Sequence, residues 1–176
     1  MSGVGIQSLR ACFVLVSAVA SAVLVLGSSV HAEAPGPLTM PKQSITLNAA
    51  NAMIGAALAH ADRLGIQEVI VVDDESGTVK AVAAMDGAML TAVNFAHDKA
   101  YTSAVRRVKT QDLADRFADQ PAFLLASFMK QERLTMLGGG IPIVVGGQVV
   151  GSIGTSGGTV PQDIEVAEAG MAAFRP

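Results

Sequence analysis

Between Met85 and Arg106 the chain gathers Asp86, Phe95, His97, Lys99, Tyr101, Thr102 and Arg106, the side chains best able to do chemistry. Asp86 and His97 are candidate acid–base groups, a carboxylate and an imidazole. Lys99 and Thr102, three residues apart on a predicted helix, are neighbours able to hold one anionic group. Phe95 and Arg106 share their face, whereas His97 lies roughly 160° from Lys99 and shares its edge with Tyr101. A further face, Ala92, Val93, Ala96, Ala100, Ser103 and Ala104, is made of small residues and predicts close packing on a sheet. One small ligand meets one side of this helix or the other. A broad ligand at a subunit junction would meet both.

Several other chemistries are excluded. Cys12 is the only cysteine and lies in the apolar N-terminal run, so the chain beyond it has no disulfide, thiolate ligand or cysteine nucleophile. Gly154-Thr155-Ser156-Gly157-Gly158 matches the pattern of a nucleophile elbow, but no histidine follows Ser156 as that order requires. The same glycines belong to neither phosphate-loop pattern, so they read as a tight turn. His60 and His97, the histidines beyond residue 32, have no metal-ligand spacing, and no metal site is expected. Asp73, Asp74 and Glu75 read as solvated turn residues. A net charge of −3, no basic run and no tryptophan argue against nucleic acid as a partner.

The positioning elements follow from pattern. Residues 1–32 have the basic start, apolar middle and small-residue end of a secretory signal, cleaved after Ala32 or, equally well by pattern, Ala34. The protein is thus expected to be exported, periplasmic or extracellular, with a mature chain outside the membrane. Residues 33–44, with three prolines, predict an extended leader. One domain follows over 45–176. It opens with a helix whose Leu47, Ala50, Ile54, Ala57, Leu58 and Ala61 share a face and whose stop is Gly65. A hairpin turns at 73–77, and the helix carrying the candidate residues runs from about Thr91 to Arg107. Short helical pieces break at Pro121, ERLTML (132–137) reads as a strand, a second hairpin turns at Gly146-Gly147, and an alanine-rich helix closes the chain. This predicts an α+β fold, a mainly antiparallel sheet of about five strands flanked by helices. Its abundance of small apolar residues hints at subunit packing.

VVDDESGTVKAVAAMDGA, HDKAYTSA and GGGIPIVVGGQVVGSIGTSGG, followed by Gln162-Asp163, resemble the motifs of the GlcG/HbpS-like haem-degrading family, from about Ile45 to Phe174. The resemblance implies a five-stranded antiparallel sheet, homo-oligomers and, in some secreted members, haem near subunit contacts. It puts Lys99 and Thr102 on the family's K-A-x-T positions. Thr102 would then lie next to haem, with Lys99 or Arg106 toward a propionate and Phe95, Met85 and Met89 lining an apolar slot. His97, Tyr101 and Thr102 stand as alternative axial ligands. The sequence departs from the family pattern at Ala84, where arginine is usual. Haem binding or handling, including redox or degradation, is the leading reading. The alternatives are a small enzyme acting on an organic acid or aromatic metabolite, or a partner-binding accessory protein.

Overall fold

The computed structural model describes residues 36–175. The expected signal, with Cys12, lies outside the described residues. No helix or strand occurs in 36–46, and Ile45 is held by its N–H donating to the Val150 carbonyl at 2.8 Å.

Helix α1 (Leu47–Leu64) starts where the Thr46 hydroxyl accepts from the Ala49 N–H at 3.2 Å, and Gly65 stops it. It buries Ala50, Met53, Ile54, Ala57 and Ala61; Leu58 is half-buried, and Leu47, expected on that face, is exposed at the first turn. Strands β1 (Val69–Asp74) and β2 (Val79–Ala84) form the first hairpin. The Asp74 carboxylate ties its turn, accepting from the N–H groups of Ser76 and Thr78. Helix α2 (Leu90–Arg106) precedes α3 (Thr110–Phe117) and α4 (Ala122–Met129), which are separated at Pro121 as predicted. Strands β3 (Gly140–Val145) and β4 (Gln148–Ser156) turn through Gly146 and Gly147, whose φ of 56° and 79° suit a two-residue hairpin. Helix α5 (Val160–Ala172) begins with a Thr159–Gln162 capping box.

The sheet has the order β2-β1-β4-β3 and every pair is antiparallel. The α+β class is as expected, with four strands instead of about five. ERLTML forms no strand because its backbone bonds to side chains: the Thr135 N–H donates to Thr102 Oγ1 and the Leu137 N–H to Thr135 Oγ1. The alternation of β1 divides the core. Ile70 and Val72 pack among α1 and α5, whereas Val69 and Val71 face Ala92, Ala96 and Ala100 of α2. Gly154 and Gly140 let α2 approach closely, since a Cβ on Gly154 would strike the backbone at Ala96 and Ala100, and one on Gly140 the Lys99 carbonyl.

Candidate functional site

The small face of α2 enters the core as predicted, and it takes two polar side chains with it. Lys99 is 1 % exposed and Thr102 is 0 % exposed. Lys99 reaches the N-terminus of α5, where Nζ lies 2.5 Å from Asp163 Oδ2 and donates to the Thr155 carbonyl at 2.9 Å. Glu68, fully buried just before β1, completes the network. Its Oε1 and Asp163 Oδ1 both accept the Gly158 N–H, at 3.1 and 2.9 Å. Burial, followed by the charge and hydrogen bond of Asp163, raises the Glu68 carboxyl to about 8, so it is protonated at neutral pH. One ammonium then faces one carboxylate, which is the balance that a buried site demands. The Gly158 N–H before α5 is thus taken by internal acceptors.

Thr102 is a clamp in this structure. Its hydroxyl donates to the Arg133 carbonyl at 3.1 Å and accepts from the Thr135 N–H at 2.9 Å. The clamp holds Arg133 at φ 64°, a left-handed conformation that costs a non-glycine residue about 1 kcal/mol. The Arg133 guanidinium lies 4.2 Å from the centroid of the Tyr101 ring and 3.8 Å from Asp98 Oδ1. His97, one turn before Tyr101, is half-buried. Burial first and the Arg133 charge second lower its pKa, against the pull of Asp98.

Asp73 corrects the expectation of a solvated turn. It is the last residue of β1 facing α2, fully buried with both carboxylate oxygens unpartnered among the described residues. Burial raises it to about 7, opposed by Arg133 and supported by Asp74. The edge of α2 bearing His97 and Tyr101 lies toward the β1–β2 turn, where the Tyr101 ring packs against Gly77, and the β2 residues paired with Val71 and Asp73 point to the α2 side of the sheet. Those residues, Val82 and Val79, are 44 % and 41 % exposed, so this face of the edge strand is uncovered.

The remaining candidates fall into separate places. Arg106 lines a slot of about 480 Å³ between the end of α2, α3 and α4, with Arg116, Phe117, Leu124, Phe128 and Leu134. Met85 and Asp86 line a different cleft of about 520 Å³ with Leu58, Asp62, Gln67 and Ala84. The Met85 sulfur also accepts the Glu68 N–H at 3.3 Å. Phe95 and Met89 are exposed and line neither cavity. The slot expected from Phe95, Met85 and Met89 is therefore not assembled within one subunit. Among the described residues no cluster of histidine and carboxylate ligands could hold a metal ion, and no helix is long and apolar enough to cross a membrane.

Sequence reasoning missed Glu68, Arg133, Arg116 and Phe128. A signal existed for Glu68, a lone acid against the apolar run Val69–Val72. Arg133 had none, because its place depends on a side-chain clamp 31 residues away.

Residues 45–172 match the family model described as haem degrading protein, HbpS-like. The chain belongs to this HbpS-like family. A 15.0 kDa Citrobacter freundii protein from the dhaT–dhaS intergenic region is 34% identical over 131 residues, covering 74% of this chain and 92% of the relative. The crystal structure of a double mutant of Streptomyces reticuli HbpS matches with a TM-score of 0.73 at 27% identity, covering 82% of this chain and 96% of that one. PduOC, crystallised as a complex with haem, matches with a TM-score of 0.69 at 27% identity, over 75% and 96% of the two chains. HbpS-like membership agrees with the motifs around Asp86, Lys99 and Gln162-Asp163.

Proposed function

We propose that this protein binds haem after export, as a homo-oligomer, with His97 as the iron ligand. Family membership supports haem handling, and the haem complex of PduOC shows that a related domain takes this ligand. The observation that carries the reading is the environment of His97. Its lowered pKa keeps the imidazole neutral at pH 7, the form with a lone pair for iron. Tyr101 is a second donor on the same edge. Arg133 offers a cation to a propionate, and the uncovered Val79 and Val82 offer an apolar platform.

Lys99 and Thr102 then serve haem indirectly, by holding α5 and the Arg133 loop. The residue 1–32 pattern supports export. Exposed Phe123, Leu125 and Met129 on α4 support burial against further copies. An enzyme for organic acids at the Met85–Asp86 cleft is the poorer reading, because Asp62 and Asp86 line it and Ala84 supplies no cation.

Haemin titration, followed at the Soret band, tests the assignment. The parent protein is expected to give a saturable, shifted band, and His97→Ala to lose the shift. Arg133→Ala should bind at least about tenfold more weakly, the effect of losing one charge-assisted hydrogen bond. An unaltered band in His97→Ala would falsify the proposed ligation.

A further inference from the structure

The slot at the end of α2 differs from the His97 edge in what it offers. Its walls are apolar, with Phe117 and Phe128 5.2 Å apart between ring centroids, and Leu124 and Leu134 beside them. Arg106 and Arg116 stand at it, and neither makes an ion pair among the described residues. The Arg106 guanidinium rests 5.7 Å from the Phe128 centroid, held by the ring without losing its charge. The acids of the neighbouring helix, Asp112 and Asp115, lie outside the lining, as does Asp119. No imidazole, phenol, thioether or thiol lines it, so it has no strong donor for iron.

An apolar slot with two free guanidiniums is complementary to a flat apolar molecule carrying two carboxylates. We propose that this slot is a second ligand site, and that it takes a metal-free dicarboxylate tetrapyrrole, with the ring between the aromatic and leucine walls and the two carboxylates on Arg106 and Arg116. The proposal rests on the haem reading only in choosing a tetrapyrrole as the flat dianion. The cavity of about 480 Å³ is within the usual range for small-molecule sites and opens to solvent, so part of the ring stays outside.

The test is titration of the purified protein with protoporphyrin IX, followed by porphyrin fluorescence. Saturable binding is expected, with Arg106→Glu, Arg116→Glu and, separately, the porphyrin dimethyl ester each weakening it about tenfold or more. Both arginines are exposed, so these variants keep the fold. His97→Ala should bind the porphyrin as the parent does, while losing the shifted haemin band. Equal affinity for the free acid and the ester, no effect of either charge reversal, or no saturable signal would overturn the site. None of those results bears on haemin ligation by His97, which the Soret titration reads separately.

Discussion

Replacing Thr102 with valine separates a clamp from a ligand. The substitution keeps the shape of the side chain and removes the hydroxyl, leaving the Arg133 carbonyl and the Thr135 N–H without partners. A buried group stripped of its partner costs about 1–3 kcal/mol. The Thr135 N–H is buried and bears the full cost, whereas the Arg133 carbonyl is partly buried and water offsets some of its loss. The sum is about 2–4 kcal/mol. For a domain of this size each kcal/mol shifts Tm by roughly 4 °C, so thermal unfolding should move down by about 8–16 °C. Freed from the clamp, Arg133 relaxes from its left-handed conformation and leaves the Tyr101 ring. Haemin affinity then falls by about tenfold with the Soret position unchanged, because His97 is untouched. Thr102→Ser restores the hydroxyl and most of both losses. Calorimetry and the Soret titration measure the two effects. Unchanged stability together with a displaced or absent Soret band would refute the clamp and make Thr102 an iron ligand.

Glu68 should impose a pH slope on stability. Its carboxyl titrates near about 8 in the fold, against roughly 4.3 in an unfolded chain. The native state keeps a proton that the unfolded state loses, so stability falls as pH rises between those values, by up to about 1.4 kcal/mol per unit. Glu68→Gln keeps the acceptor for the Gly158 N–H without a titrating proton, and urea unfolding should show the variant gaining on the parent at pH 8 and matching it near pH 5; Asp73, raised to about 7, leaves a residual slope. Gly154→Ala drives a methyl group into α2 and is expected to cost about 3 kcal/mol or prevent folding, as denaturant midpoints or soluble yield will show. Haemin release on acidification should have its midpoint below the ordinary histidine value of about 6.5, and Asp98→Asn should lower it further. A midpoint above that value would contradict the neutral imidazole.

Much of the architecture was legible because it depends on local pattern. The stop of α1 at Gly65, both hairpin turns and the small face of α2 follow from residue type and spacing. The strand expected at ERLTML failed for a reason outside that segment, since the Thr102 hydroxyl takes the Thr135 N–H that a ladder would have used. Asp73 looked like a turn residue by its neighbours Asp74 and Glu75. Strand alternation carried it inward instead, beneath α2.

For the site, the sequence by itself determined which candidate side chains share one helix, that Cys12 is the only thiol, and which family motifs are present. Local spacing also separated His97 and Tyr101 from Lys99, Thr102 and Arg106, because the helical angle between residues is constant. Only the tertiary structure decided which of those faces meets solvent. Lys99 and Thr102 could be buried because Asp163, Thr155, Arg133 and Thr135 arrive from distant parts of the chain to satisfy them. These two polar side chains enter the core with partners that are set by packing rather than by neighbours in sequence.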